Sequence, residues 1–233
     1  MKVPVNTVLS LICLTLLVGC HRRIGEPEDQ EELLRPENVA SFDRLYKANC
    51  SACHGANGSG GAAIDLSNPN YQALVDDESL RRWITSGMPG TQMPAFGASA
   101  GGFLTTKQVD VLITGMRLRW SPRKVSKDDM PSYIASTAGK ADRGNDIFRA
   151  SCSSCHQQSN QKVTDATYLA LTSDQSLRTI VIAGRPDLGH PGWRQVRPSQ
   201  PLADQDVSDI VAYLHSLRSE TPGQPYPDTS TMR

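Results

Sequence analysis

Apolar residues recur at helical spacing in two separate parts of the chain. Near the end of the first part, Val109, Leu112, Ile113 and Met116 fall on one face of a helix that spans about 106–119. Near the end of the second part the apolar positions are Val207, Ile210, Val211, Leu214 and Leu217. The pattern therefore predicts long helices over about 106–119 and 204–218, and a mainly α fold.

Further helices precede these two, and polar residues mark where they begin. Asn38 or Ser41 is the expected N-cap of the first helix, and Asp76 or Asp77 that of a helix ending near Gly87. In the second part, a helix capped by Asp142 and another over about 174–183 are expected. Their apolar residues include Phe42, Leu45 and Tyr46, then Leu80, Trp83 and Ile84, then Ile147 and Phe148.

The two parts repeat one another. Residues 71–81 align with 168–178 at an offset of 97, and the next fifteen positions align without a gap. Gly87 then falls on Gly184, and an extended loop over 88–96 falls on 185–193. The repeat predicts two domains, over 37–120 and 141–218, joined by a linker over 121–140.

Each part carries the sequence Cys-x-x-Cys-His. The first copy has Cys50, Cys53 and His54; the second has Cys152, Cys155 and His156. Two thiols at this spacing reach the two vinyl groups of one porphyrin, and the adjacent imidazole can bind its iron, so the motif is typical of haem c attachment. The alternatives are zinc or redox Cys-x-x-Cys sites, which require further Cys and His ligands or a βαβ setting. Neither context is present in the sequence.

An electron-carrying haem needs a second axial ligand opposite the motif histidine. In the first half we expect Met93, in the sequence Met-Pro-Ala-Phe, to supply it. Met88 is the competing residue, but it aligns with Arg185, which cannot bind iron. The alternative for either methionine is core packing.

The second half has His190 where the first has Met93, so His156 and His190 are the expected ligands of its iron. Two imidazoles favour ferric iron more than an imidazole and a thioether do, which predicts a lower potential for this haem. The alternative is a surface His190 with an open or water-filled site. His215 and His21 are not expected to be ligands.

Composition and charge add few constraints. The 233 residues include 24 basic and 24 acidic ones, a balance that does not indicate a nucleic-acid partner. The six cysteines are the four of the motifs, Cys13 and Cys20, which leaves no pair for a structural disulfide. A glycine-rich loop over 55–61 follows no predicted strand, so it does not predict a nucleotide site.

The N-terminal segment resembles a bacterial lipoprotein signal. Lys2 precedes a short apolar run, and Leu17-Val18-Gly19-Cys20 resembles a lipobox. The resemblance implies a signal peptide over 1–19 and lipid on Cys20, which would anchor the protein to a membrane from outside the cytoplasm. An ordinary signal peptide is the alternative. Residues 20–36 are expected to form an acidic tether, and 219–233 a disordered tail.

Together these motifs resemble the class I c-type cytochromes, taken twice, over about 38–120 and 141–218. The resemblance implies two tandem class I cytochrome c domains, each a small helical fold around one covalent haem c, so two haem c in all. In that family the first and last helices cross, with a small residue against an aromatic one. The second half has Gly144 and Tyr213 at these positions, whereas the first has Phe42 and Gly115.

These features predict an extracytoplasmic, lipid-anchored dihaem electron-transfer protein, without enzymatic activity of its own. Its expected role is a carrier or subunit between a quinol-oxidising complex and a downstream acceptor or oxidase, on the periplasmic side if two membranes are present. The alternatives are a dihaem redox enzyme such as a peroxidase, and a structural haem subunit of a respiratory complex. A five-coordinate haem that binds carbon monoxide readily would favour the enzyme.

Overall fold

The computed structural model describes residues 34–121, 125–157 and 163–220. Within these ranges the structure is helical, with only isolated bridges Gly97–Leu104 and Arg185–His190 in place of strands. The helices of the first half are α1 (Phe42–Asn49), α2 (Ser51–His54), α3 (Pro69–Leu74), α4 (Asp77–Ser86) and α5 (Thr106–Trp120). Those of the second are α6 (Ala141–Ser151), α7 (Ser153–His156), α8 (Ala166–Ala170), α9 (Asp174–Ala183), α10 (Trp193–Val196) and α11 (Asp204–Ser216). Short 3₁₀ turns lie at Pro36–Asn38, Ala98–Ala100 and Pro186–Leu188.

Side-chain caps fix where most of these helices start. The Ser41 side chain accepts a hydrogen bond from the backbone of Arg44, and the Asp76 side chain accepts one from Ser79 at 2.6 Å. Of the paired alternatives, Ser41 and Asp76 are therefore the N-caps. These bonds satisfy amide groups that the first helical turn leaves unpaired.

The predicted cap at Asp142 is wrong. Helix α6 begins at Ala141 after Lys140, so Asp142 lies inside its first turn. Asp209 on α11 supplies the missing acceptor, because its Oδ1 accepts from the Lys140 backbone amide at 2.7 Å. Since this cap comes from a distant helix, local sequence could not indicate it.

The first and last helices of each half cross at a glycine. Phe42 of α1 lies against Gly115 of α5, where a Cβ atom would overlap the phenyl ring. At the crossing of α6 with α11, a Cβ on Gly144 would overlap the Asp209 carbonyl and lie 2.9 Å from the Cβ of Tyr213. The predicted exchange of large and small residues between the two crossings is confirmed.

Residues 125–140, which the sequence predicts as a linker, are packed against both halves. The indole of Trp83 donates to the Tyr133 hydroxyl at 2.7 Å, which attaches the segment to the first half. Gln175 donates to the Tyr133 carbonyl and the buried Arg178 to that of Ser132, both at 2.8 Å, which attaches it to the second half. The segment therefore contributes to the packing of the two halves.

The two halves also contact each other directly. Asn68 is 3% exposed, and its side-chain oxygen caps α3 by accepting from Asn70. The amide nitrogen of the same side chain donates to the carbonyls of Ala183 and Gly184, at 2.9 and 3.2 Å. One asparagine thus joins the start of a first-half helix to the end of a second-half helix, directly before the loop that carries His190.

Replacing Gly115 with Tyr should destabilise the first half by about 3 kcal/mol, because the new ring cannot fit over Phe42 without moving α1. The free energy of unfolding from a guanidinium titration measures this loss. Leu118→Tyr is the matched control, because Leu118 is on the same helix but 80% exposed. It should change stability by less than about 0.5 kcal/mol.

The double variant Phe42→Gly/Gly115→Tyr recreates the arrangement of the second half and should be more stable than Gly115→Tyr alone. A Gly115→Tyr protein as stable as the parent, or a double variant with no recovery, would contradict the crossing described above.

Candidate haem-binding sites

The two Cys-x-x-Cys-His motifs have the same local structure. In each, a long helix ends one residue before the first cysteine, and a four-residue helix then carries the second cysteine and the histidine. Of the four motif cysteines, Cys50 and Cys152 are half-buried, and Cys53 and Cys155 are exposed. Burial, reinforced by the neighbouring thiol, raises the pKa of Cys50 to about 12 and that of Cys152 to about 11. Each motif thus presents two thiols three positions apart, the first directly before a short helix and the second on it.

The His54 ring is oriented by a backbone carbonyl. Its Nδ1 lies 2.8 Å from the carbonyl oxygen of Ile64, so Nδ1 carries the proton and Nε2 keeps its lone pair. Burial lowers the pKa of His54, with a further contribution from the Arg185 charge. A neutral imidazole with one nitrogen fixed as a donor is the usual form of a histidine that binds a metal.

The structure brings His156 and His190 together, although they are 34 positions apart in the sequence. Their ring centroids are 5.7 Å apart, with 46° between the ring planes, and the Phe148 ring also stacks with His156, at 6.4 Å. Metal–imidazole bonds of about 2 Å on each side of one ion require a separation of about this size. Nδ1 of His190 is buried without a hydrogen-bond partner, and burial, followed by the neighbouring His156, lowers the pKa of His190.

The loops that carry Met93 and His190 close in the same way. The Met88 amide donates to the Met93 carbonyl at 3.1 Å, and the Arg185 amide donates to the His190 carbonyl at 3.0 Å. The glycines before them, Gly87 and Gly184, have φ of 72° and 75°. A Cβ on either glycine would lie 2.8 Å from the carbonyl oxygen of Met93 or His190. The alignment of Met93 with His190 therefore holds for the backbone.

The two methionines of the first loop differ in what their side chains contact. Sδ of Met88 accepts from Ser176 Oγ at 3.3 Å and lies 3.7 Å from Ser173 Oγ, both in the second half. Met93 is partly buried and packs against the hydrophobic core, while its amide donates to Thr91 Oγ1 at 3.1 Å. Met88 is thus directed to the contact between the halves, and Met93 packs on the core, so the assignment of Met93 as a ligand stays a prediction.

The remaining histidine of the described residues lies elsewhere. His215 is exposed on α11 and pairs with Asp174 at 3.0 Å, as expected for a surface residue. His21 and Cys20 lie outside the described residues, and so does the signal segment. Among the residues described, no helix has the length and apolar character needed to cross a membrane.

Arg185 was not predicted as a functional residue. It is a buried cation, 6% exposed, whose guanidinium contacts the loop after the first motif and whose charge lowers the pKa of both His54 and His190. The sequence does contain a signal for Arg185. It aligns with Met88, so the second loop has an arginine where the first loop has a methionine. In the sequence alone, the exchange of methionine for arginine only argues against Met88 as an iron ligand.

Two family models match the chain, one on each half. Residues 37–113 match "Cytochrome C oxidase, cbb3-type, subunit III", and residues 141–218 match "Cytochrome c". Two helical units of this kind, each with a Cys-x-x-Cys-His motif, define a dihaem c-type cytochrome. The chain belongs to the class I c-type cytochromes and consists of two tandem cytochrome c domains, each of which attaches one haem c covalently.

Curated relatives are similar along most of this chain. The cbb3-type cytochrome c oxidase subunit CcoP of Azospirillum sp. (strain B510) is 26% identical over 207 residues, which cover 77% of this chain and 62% of the relative. The cytochrome bc1 complex cytochrome c subunit of Mycobacterium leprae (strain TN) is 22% identical over 200 residues, covering 83% and 64%. The chain therefore spans less than two thirds of either relative's length.

Among solved structures, a chain of the Kuenenia stuttgartiensis reducing HAO-like protein complex Kustc0457/Kustc0458 is similar. It has a TM-score of 0.49 and 17% identity, covering 80% of this chain and 99% of that one. A similarity this low does not bear on function.

Replacing Gly184 with Ala should destabilise the second domain by about 3 kcal/mol. Its φ of 75° and ψ of 177° are accessible almost only to glycine, and the added Cβ would meet the His190 carbonyl and the Gly192 amide. The measurement is the free energy of unfolding of the haem-loaded protein, with the haem absorbance of the second domain as the probe.

Gly189→Ala is the matched control for this substitution. Gly189 also has a positive φ, 74°, but nothing lies within 4 Å of the added Cβ, so only the conformational cost of about 1–2 kcal/mol applies. Equal losses at the two glycines would show that Gly184 does not hold the His190 loop.

Proposed function

We propose that this protein is an extracytoplasmic electron carrier with two unlike haems, a His/Met haem in the first domain and a His/His haem in the second. The main support is the pairing of His156 with His190, whose ring centroids are 5.7 Å apart. The first domain has Met93 at the position equivalent to His190. A haem that has two protein ligands exchanges electrons without binding substrate at its iron.

The residues proposed for the first haem are Cys50 and Cys53 for attachment, with His54 and Met93 as axial ligands. Ile64 fixes the His54 ring, and the interdomain contact of Met88 supports Met93 as the second ligand. A thioether ligand favours ferrous iron, so this should be the haem of higher potential.

The residues proposed for the second haem are Cys152 and Cys155 for attachment, with His156 and His190 as axial ligands. The approach of the two rings, whose centroids are 5.7 Å apart, supports this pair of ligands. When bound, haem iron supplies the one-electron chemistry; the protein sets its ligands and surroundings. Two imidazoles stabilise the ferric state more than the first site does, so the two haems should differ in potential.

The proposed partners are membrane complexes of a respiratory chain. Relatives of similar tandem form are named as subunits of a cbb3-type oxidase and of a cytochrome bc1 complex, which supports a role as carrier or subunit between a quinol-oxidising complex and an acceptor or oxidase. If driving force sets the direction, the haem of lower potential receives the electron first.

The proposed location is the outer side of a membrane, with lipid on Cys20. Attachment through lipid would keep the protein near membrane partners and raise its effective concentration there. The motif Leu17-Val18-Gly19-Cys20 supports this part of the proposal.

Substituting the candidate ligands one at a time tests the haem assignment. Met93→Ala should convert the first haem to a five-coordinate, high-spin form that binds carbon monoxide, and His190→Ala should do the same at the second haem. His190→Met should keep the second haem six-coordinate and raise its potential, because a thioether replaces an imidazole. Absorption and EPR spectra with a redox titration measure these changes.

Met88→Ala is the control, since Met88 is in the same loop and is directed to the other domain. It should leave both haems low-spin. If Met88→Ala, and not Met93→Ala, produced the high-spin haem, the ligand assignment in the first domain would be incorrect. A parent protein that already binds carbon monoxide or turns over peroxide would favour a dihaem enzyme instead.

Cys20→Ser tests the anchor. In a bacterial host with lipoprotein processing, the parent should sediment with membranes and incorporate labelled fatty acid, and Cys20→Ser should lose the label. The matched control is Cys13→Ser, in the preceding apolar run, which should keep the label. Equal labelling of the parent and Cys20→Ser would rule out lipid at this residue.

A further inference from the structure

Arg185 is the buried cation that connects the two domains. Its side chain is 7% exposed, and its guanidinium donates to both carboxylate oxygens of Asp187, at 2.9 and 2.8 Å. The same guanidinium donates to the Gly61 carbonyl of the first domain at 2.8 Å. Asp187 in turn accepts from the Gly60 amide at 3.0 Å. The ion pair thus binds two successive backbone groups of the other domain.

The segment that the Arg185–Asp187 pair contacts, Gly60 and Gly61, packs on the first haem-attachment motif. The Gly61 backbone lies so close to the Cys53 carbonyl and the Gly55 amide that a Cβ at this position would overlap both. The Ala63 amide also donates to the Cys53 carbonyl at 2.9 Å. The position of Gly61 is therefore coupled to the helix that holds Cys53 and His54.

At its other end, Arg185 is bonded to the residue proposed as a ligand of the second haem. The Arg185 amide donates to the His190 carbonyl at 3.0 Å, and the His190 amide donates to the Arg185 carbonyl at 2.9 Å. One residue thus joins the loop of His190 to the attachment motif of the first domain through a few hydrogen bonds. Its positive charge also lies between the two sites, since the guanidinium contacts the loop after the first attachment motif and the backbone is bonded to His190.

We propose that Arg185 is the positioning residue for electron transfer between the two haems. Its guanidinium holds the first attachment motif against the His190 loop and so fixes the separation of the two haems. This inference rests on the proposed function, transfer between two haems of one chain. The step moves one electron from ferrous iron in one domain to ferric iron in the other, and no bond forms or breaks.

The charge of Arg185 adds a second consequence. Because Arg185 is buried and contacts the loop after the first motif and the His190 loop, its positive charge would disfavour the ferric state of a haem held in either domain and raise both potentials. The equivalent residue of the first domain, Met88, also contacts the other domain but has no charge.

The test uses the haem-loaded protein and Arg185→Gln. One haem is reduced by a laser flash with a flavin donor, and the electron is followed to the other haem by absorbance. The substitution should slow this internal transfer and lower both midpoint potentials, while both haems remain six-coordinate and low-spin. A purely structural role would lower stability without moving the two potentials together.

Two further variants complete the experiment. Arg117→Gln is the control, because Arg117 forms a similar set of bonds to Asp77 and to the carbonyls of Gln72 and Val75, all inside the first domain. It should leave the rate and both potentials unchanged. Arg185→Lys keeps the charge but cannot form the two parallel hydrogen bonds of the guanidinium, so it should keep both potentials and still slow the transfer between the haems. If Arg185→Gln folds poorly, Arg185→Lys alone tests whether the guanidinium contacts control the transfer rate.

An unchanged internal rate in Arg185→Gln and Arg185→Lys, with transfer intact in the parent, would overturn the role of Arg185 alone. A parent in which no electron passes between the haems would instead overturn the proposed function. The two failures are distinguished because the parent is measured first.

Discussion

The structure depends on the way the chain turns back after α4 in the first domain and after α9 in the second. Gly87 and Gly184 have positive φ, and the residue after each donates its amide to the carbonyl of the candidate ligand five positions further on. Residues other than glycine rarely adopt this conformation, and a Cβ at either position would overlap the backbone around Met93 or His190. This closure gives Met93 and His190 the same backbone setting, so the duplicated fold can vary one ligand without rebuilding the site.

Once the loop is fixed, the two domains differ mainly in chemistry. The first places a thioether where the second places an imidazole, and the crossings of the terminal helices exchange a large and a small residue in the same manner. The domains are held together by polar contacts that involve backbone at the edges of the sites, such as those of Asn68 and Arg185. An electron-transfer protein with two centres needs their separation to be constant, and buried hydrogen-bonded contacts provide this more reliably than a flexible linker does.

Much of this arrangement could be predicted from the sequence, because it is encoded locally. Helical periodicity gave α5, α9 and α11 to within two residues at either end, and the repeat identified equivalent loops. What could not be predicted depends on distant contacts. The cap of α6 comes from Asp209, the segment 125–140 is held by Trp83 and Gln175, and the contact of Arg185 with Gly61 spans 124 positions. A local pattern does not carry such information.

We propose that one axial ligand differs between two otherwise equivalent haem sites. The most direct measurement is a low-temperature EPR and near-infrared magnetic circular dichroism spectrum of the oxidised, haem-loaded protein. We expect two low-spin ferric haems in equal amounts, one with the charge-transfer signature of His/Met ligation and one with that of His/His ligation. Two identical signatures, or a high-spin component of one haem per chain, would contradict it.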